Sequence, residues 1–265
     1  MDKNKKIKEL EDEATKQTKR QTEKVEELIA RIQLTLERNL ASILADLRAE
    51  KYSAKEAAKL LASLEEELIS VGIERHFEKI RELFEEQFRQ VSEEFKKTTG
   101  KEALLSSIAK ESLAVLVDDR LLLAQKSIQA YGTDARTLIL DSVIAGQPLK
   151  ASKIFDSLGE SPLYHLQTEL DTSLAAFQRL THWEAAKKAG QEKFYYIGPV
   201  DKITRKFCRG IVDKVYTRDE IEEMDNGQDL PVFIYGGGYN CRHHWRPISD
   251  EFAAELRNGN NNQKR

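Results

Sequence analysis

The stretch VEELIARIQLTLERNLASILADL, residues 25–47, indicates which kind of fold the chain adopts. Its apolar residues recur at intervals of three and four positions, which places them on one face of an α-helix. That face consists of Val25, Leu28, Ile29, Ile32, Leu36, Leu40, Ile43, Leu44 and Leu47. The pattern predicts an amphipathic helix that runs to about Lys51 and buries this stripe against other helices.

Upstream of this helix, residues 1–24 are almost entirely polar, with Lys, Glu, Gln and Thr dominating. We expect this arm to be frayed helix or disordered until a partner covers it. Its basic residues are not followed by the apolar stretch of a signal peptide, so we expect the chain to be intracellular when it is made. No run approaches the roughly 18 apolar residues of a membrane-spanning helix.

Downstream, the helical period repeats several times. The patterns predict a helix from a capping box at Ser53 and Glu56, and further helices over residues 73–95, 104–131, 133–145, 149–158 and 161–189. The run 104–131 has an apolar middle suited to a bundle interior. We expect His76 at the surface or boundary of its stripe, and Asp118 and Asp119 on a solvated helix face. Residues 25–190 are therefore predicted to form an elongated, irregular helical bundle.

Composition agrees with a mainly α protein. The 265 residues include 33% charged residues but only 13 glycines and 5 prolines, a balance typical of long surface-exposed helices. The formal net charge of -3 disfavours binding of nucleic acid through bulk electrostatics. In a reducing cytosol, the two cysteines Cys208 and Cys241 are typical of free thiols or of a metal-ligand pair.

The character of the sequence changes after Gly190. FYYIGPV (194–200) and LPVFIYGGGY (230–239) are aromatic and β-branched runs bounded by Pro and Gly, which predict strands and tight turns. Between them, Thr217 and Glu220 have the spacing of a capping box and predict a short helix that ends near Gly227. We expect a small α+β domain over residues 191–256, followed by a disordered polar tail over 257–265.

This carboxy-terminal segment concentrates the residue types that carry chemistry, and three interpretations of it compete. The first is a zinc site made of Cys208 and Cys241 with His243 or His244, completed by Asp201. Thiolates and imidazoles suit zinc, but the spacing lacks two short ligand pairs. No cofactor is therefore predicted beyond this one candidate metal.

The second interpretation is nuclease or transferase chemistry, with His243 or His244 as a general base. Its phosphate-binding side chains are Arg205, Arg209 and Arg242. The third, which we favour, is structural. Gly236, Gly237 and Gly238 allow a backbone path that returns Cys241 and Arg242 against Asp201 and Arg205, where ion pairs fix the shape of the domain.

The order of several of these residues resembles the phage Mu F-like head morphogenesis family. In that family an Asp followed by Thr-Arg and then His or Cys opens a domain, and a C-R-C or C-R-H element closes it before a proline. The matching residues are Asp201, Thr204, Arg205, Cys208, Gly238, Cys241, Arg242, His243 and Pro247. Thr168 and Glu169 also match a Thr-Glu on the long helix that precedes the domain.

The resemblance implies a minor head (capsid) protein of the virion, acting in head morphogenesis or genome delivery, and no enzymatic reaction. Its implied partners are the portal protein and other capsid or scaffolding proteins, with no membrane and no small-molecule substrate. The implied localisation is the virion, and the host cytoplasm during assembly. A local positive charge allows contact with packaged DNA; it comes from Lys202, Arg205, Lys206, Arg209, Arg242 and Arg246. The alternative is a phage-encoded nucleic-acid-processing enzyme that uses His243 and His244.

Overall fold

The computed structural model describes residues 3–48, 54–70, 72–158 and 161–262. It is 74% helix, with eleven helices among these residues and a small antiparallel sheet of three strands near the carboxy terminus. The predicted fold class, a helical bundle followed by a small α+β region, is confirmed. Among the described helices, none combines the length and apolarity needed to cross a membrane.

Seven of the described helices precede the sheet. They are α1 (Lys3–Arg48), α2 (Ala54–Ala62), α3 (Leu64–Ser70), α4 (Glu74–Thr99), α5 (Ser107–Ile144), α6 (Ala151–Leu158) and α7 (Ser161–Ala189). The remaining elements are β1 (Lys193–Ile197), α8 (Lys206–Ile211), β2 (Val215–Thr217), α9 (Arg218–Glu222), α10 (Val232–Tyr235), β3 (His244–Pro247) and α11 (Asp250–Asn262). Ser53 and Lys51, which the sequence predictions use, lie outside the described residues.

The chain folds into two compact units. Unit 1 contains the described residues within 1–23, 83–117 and 171–265, and unit 2 those within 24–82 and 118–170. These limits differ from the four segments expected from the sequence, because the unit boundaries fall inside α1, α4, α5 and α7. Periodicity shows which face of a helix is buried, but not which partner covers each turn.

Both polar ends of the chain are more ordered than the sequence predicts. Helix α1 begins at Lys3, and in unit 1 its Leu10 and Ala14 are buried in a cluster with Tyr195 and Ile197. Two apolar positions are therefore enough to dock an arm that is otherwise polar. Helix α11 continues to Asn262, although a disordered tail was expected from residue 257.

Helix α5 is one helix where the sequence predicts two. Gly132 lies inside it, and a Cβ at this position would come within 3.0 Å of the Glu65 Cα in unit 2. The glycine thus permits a close approach to α3 instead of ending the helix. The expected burial of this run holds only in part, because Leu113, Ala124 and Ile128 are buried whereas Val115 is 68% exposed and Leu122 is 47% exposed. Asp118 and Asp119 are exposed, as expected.

His76, expected at the surface or boundary, is buried in unit 2. Only 5% of it is exposed, and one of its ring nitrogens lies 3.0 Å from the Thr35 hydroxyl. Burial and the charges of Arg75 and Arg31 lower the pKa of His76, so this imidazole is held in its neutral form.

Strand β1 is the centre of the sheet, which has the order β2-β1-β3 with both pairings antiparallel. Phe194 and Tyr196 belong to one buried cluster and Tyr195 and Ile197 to another, as expected when successive strand residues face opposite sides. Strand β1 and the capping box of Thr217 at α9 agree with the sequence predictions.

The segment LPVFIYGGGY is not a strand. Val232–Tyr235 forms the helical turn α10, in which the Tyr235 and Gly236 amides donate to the carbonyls of Pro231 and Val232 at 2.9 and 2.8 Å. A turn of this length is too short to show a helical period, and its β-branched and aromatic residues imitate a strand. Strands β2 and β3 were missed for the same reason, since they contain three and four residues.

Candidate functional site

The special residues of the carboxy-terminal segment meet inside unit 1. Cys208 comes from α8, Tyr196 from the central strand β1, and Cys241 and His243 from the loop between α10 and β3. We call these four side chains the thiol cluster. They are exposed by 2% (Cys208), 0% (Tyr196), 4% (Cys241) and 2% (His243), so the cluster belongs to the interior.

The polar atoms of the thiol cluster lie within a few ångströms of one another. The two sulfur atoms are 3.7 Å apart, and Cys241 Sγ is 3.9 Å from His243 Nδ1. The Tyr196 hydroxyl is 3.5 Å from each sulfur. The possible ligand atoms of Cys208, Cys241 and His243 all lie within 4.8 Å of one another, as a shared metal ion requires.

Three consecutive glycines make room for this cluster. A Cβ on Gly237 would lie 2.4 Å from Cys208 Sγ, and a Cβ on Gly236 would lie 3.0 Å from both Cys241 Sγ and the Tyr196 hydroxyl. Gly236 and Gly238 also adopt φ values of +55° and +101°, which favour glycine. The Gly237 amide donates a hydrogen bond to Cys241 Sγ at 3.2 Å.

The hydrogen bond between the two thiols shifts their pKa values in opposite directions. Donation from Cys208 lowers the pKa of Cys241 well below the ordinary thiol value, with further contributions from Arg179 and His243. The same hydrogen bond and burial raise the pKa of Cys208. In this coupled pair, loss of a proton is therefore favoured at Cys241 over Cys208.

Arg179 on α7 fixes the backbone around the cluster, although only 1% of it is exposed. Its guanidinium donates to the carbonyl oxygens of His243 at 2.8 Å, Ile234 at 2.8 Å and Cys241 at 2.5 Å. Sequence analysis did not single out this residue. The one available signal was an arginine inside the largely apolar run of α7 from Leu174 to Trp183.

Asp201 pairs with Arg242 instead of joining the thiols. Two parallel hydrogen bonds of 2.8 Å connect the carboxylate with the guanidinium, and the Thr204 hydroxyl donates to the same carboxylate at 3.0 Å. These contacts, first of all that of Arg242, hold the pKa of Asp201 well below its usual value. Arg205 is exposed at the start of α8, where it makes no capping hydrogen bond through its side chain.

The two adjacent histidines separate. His243 belongs to the thiol cluster, whereas His244 begins strand β3 and places Nε2 3.2 Å from the hydroxyl of Thr18 on α1. His244 therefore leaves the predicted set of metal ligands, and so does Asp201. Burial is the main reason that the pKa of His244 lies well below its ordinary value. Pro247 ends strand β3 opposite Phe194.

Beside His244 lies a second buried polar group, which we call the Glu94 cluster; it comprises Glu94, Arg246, Gln17, Gln178 and His182. Arg246 donates to Glu94 at 2.9 Å and to Gln17 at 3.2 Å, and His182 Nε2 lies 3.6 Å from Glu94. Burial raises the pKa of Glu94 although Arg246 opposes the shift, and burial lowers the pKa of His182 to about 3. Arg246 is 1% exposed and so cannot join a surface basic patch.

The remaining basic residues of the predicted patch reach the surface. Lys202, Arg205, Lys206 and Arg209 are exposed, and Arg242 is half-buried in its pair with Asp201. Arg209 in turn donates to the Asp201 and Thr204 carbonyls and closes the loop before α8.

Comparison with family models, with curated proteins and with solved structures found no match to this chain.

Proposed function

We propose that the protein is a phage minor head protein that acts in head morphogenesis or genome delivery, and that it is not an enzyme. Its partners are the portal protein and other capsid or scaffolding proteins, and it is localised in the virion after assembly in the host cytoplasm. In this proposal unit 1 supplies a rigid module that recognises a partner.

One observation carries the proposal: the residues that give the resemblance contact one another across long stretches of sequence. Asp201 holds Arg242 with two hydrogen bonds, and Cys208 meets Cys241. Pairs like these fix the path of a loop, because a bidentate arginine–carboxylate contact restrains orientation as well as distance. Residues that match a family motif and also hold one another in place are expected when the motif serves to fix the structure of the domain.

The burial of the histidines weighs against the nuclease alternative. His243 and His244 are each 2% exposed, and only His243 belongs to the thiol cluster, whereas His244 contacts Thr18. A general base must come within hydrogen-bond reach of the proton that it removes from a substrate. Neither imidazole meets this requirement without rearrangement of unit 1.

Exposed apolar side chains of unit 1 are candidates for a contact with a partner. Ile203 is 69% exposed, Val200 53% and Tyr239 48%, and all three are large apolar side chains. Large apolar residues at a surface often mark sites of protein–protein contact. The exposed lysines and arginines around α8 would also allow a weak, salt-sensitive contact with packaged DNA.

Co-expression with the portal protein of the same phage tests the proposal. We expect the two proteins to copurify, and Ile203→Asp to weaken the complex while unfolding at the same temperature as the wild-type chain. Lys55→Asp, a change on an exposed helical residue of unit 2, is the matched control. Phage heads that assemble and deliver DNA normally without this chain would overturn the proposal. Nuclease activity that disappears in a folded His243→Ala variant would favour the enzyme instead.

A further inference from the structure

We propose that Cys208, Cys241 and His243 bind one zinc ion, with the Tyr196 hydroxyl at the fourth corner of the site. The ion would be structural, because all four residues that surround it are buried. This inference goes beyond a role in the phage head and does not depend on it.

The three distances among the two sulfur atoms and the Tyr196 hydroxyl oxygen match edges of a zinc tetrahedron. Zinc–sulfur bonds of about 2.3 Å at tetrahedral angles place two sulfur atoms about 3.8 Å apart. The observed separation is 3.7 Å. With a zinc–oxygen bond of about 2.0 Å, each sulfur–oxygen edge is about 3.5 Å. The Tyr196 hydroxyl lies 3.5 Å from both sulfurs.

His243 supplies the third ligand atom, which lies within 4.8 Å of both sulfur atoms. An ideal sulfur–nitrogen edge is about 3.6 Å. His243 Nδ1 lies 3.9 Å from Cys241 Sγ. The imidazole is held flat against the Tyr196 ring, with centroids 5.3 Å apart and planes inclined by 11°. The stacking of His243 on Tyr196 thus positions two of the four residues of the proposed site.

The glycine turn supports the same conclusion independently. Gly236 and Gly237 leave open the space that their Cβ atoms would take beside the sulfurs. The Gly237 amide points at Cys241 Sγ, a contact that suits a sulfur carrying negative charge. The carbonyls of Cys241 and His243 are both held by Arg179, which orients two of the ligand residues from outside the cluster.

Charge balance explains why the interior can accept the ion. Each thiol loses its proton to solvent when it binds, and two thiolates neutralise the two positive charges of zinc. The imidazole and the phenol contribute no net charge, so the bound site is neutral. A neutral site costs far less to bury than an isolated charge.

Metal analysis and cobalt substitution test the proposal on the whole chain. We expect about one zinc per chain in protein purified from zinc-supplemented cells, and loss of the metal to a strong chelator should lower the melting temperature. Replacement by Co²⁺ should give the intense visible bands of a tetrahedral site and a thiolate charge-transfer band in the near ultraviolet.

Single substitutions assign the ligands. Cys208→Ser should reduce the charge-transfer intensity to roughly half, since one of two thiolates remains. Tyr196→Phe should shift the visible bands and lower zinc affinity by more than about tenfold, because loss of an outer-shell partner alone already costs about that much. His244→Ala is the control, because the neighbouring imidazole lies outside the cluster, and it should leave the spectrum unchanged.

Three results would overturn the zinc site as a whole, and none of these three requires a variant to fold. One is zinc well below one equivalent after zinc loading. Another is a weak, octahedral cobalt spectrum. The last is a disulfide between Cys208 and Cys241 in protein isolated from a reducing cytosol, detected as a mass lower by two hydrogens. An unchanged spectrum in Tyr196→Phe would remove the phenol from the site.

Discussion

Replacing Arg179 by Met tests whether this buried guanidinium holds the carboxy-terminal segment together. Arg179 donates to three carbonyl oxygens, those of Ile234, Cys241 and His243. Met has a similar length and can fill most of the same space, but it donates no hydrogen bond. The substitution therefore removes the donors while it disturbs packing as little as the side chains allow.

The expected loss follows from these contacts. A hydrogen bond to a charged group contributes about 1.5–3 kcal/mol, so three would give about 4.5–9 kcal/mol if they were additive. The real loss is smaller, because burial of the arginine itself has a cost that Met avoids. We expect Arg179→Met to lower the free energy of unfolding by about 3–5 kcal/mol, because three carbonyl groups lose their donor at about 1–3 kcal/mol each and the avoided burial of the arginine offsets part of this loss. Arg179→Lys should lower the free energy of unfolding less, because the lysine ammonium can still donate to some of the three carbonyl oxygens.

Urea denaturation followed by circular dichroism measures this difference. Arg205→Met is the matched control, since Arg205 is exposed and makes no capping bond, and its effect should stay within about 0.5 kcal/mol. If Arg179→Met unfolds within about 1 kcal/mol of the wild-type protein, the three bonds do not hold the segment and the reasoning is wrong.

Two further predictions concern space and protonation in unit 1. Gly237→Ala should destabilise the protein by about 1–3 kcal/mol, the usual cost of overpacking. Its Cβ would lie 2.4 Å from Cys208 Sγ, whereas a Cβ on Gly210 meets no described atom within 4 Å, so Gly210→Ala is the control for thermal melts. His182 has its pKa lowered to about 3 from 6.5, so the unfolded chain binds one more proton between these values and acid destabilises the fold. The slope of the unfolding free energy against pH should therefore be smaller in His182→Gln, by up to about 1.4 kcal/mol per pH unit. Glu94, whose pKa is raised, contributes a slope of the opposite sign in both proteins. An unchanged slope in His182→Gln would mean that His182 is not neutral in the fold.

Local signals in the sequence predicted local structure well. The capping box of Thr217 and Glu220 is formed by both of its hydrogen bonds, and strand β1 lies within the run that predicts it. In these cases a few neighbouring residues contain all the information. The predictions failed where a distant contact decides the result, as at Gly132, which approaches α3 instead of breaking α5.

The candidate site was predictable in part for the same reason. The sequence grouped Cys208, Cys241 and His243, because these residue types share one chemistry. It could not separate His243 from His244, since the direction of each side chain depends on where strand β3 begins. It also missed Arg179, because an arginine on a helix is normally expected to face solvent. Its three acceptors, moreover, lie more than fifty positions away in the sequence.

The composition of purified phage particles tests the proposed function most directly. Quantitative mass spectrometry of mature heads, separated from free protein by density gradient, would measure the number of copies of this chain per particle. We predict a small and constant number relative to the portal protein. Complete absence of the chain from mature heads and from assembling precursors would contradict its assignment as a minor head protein.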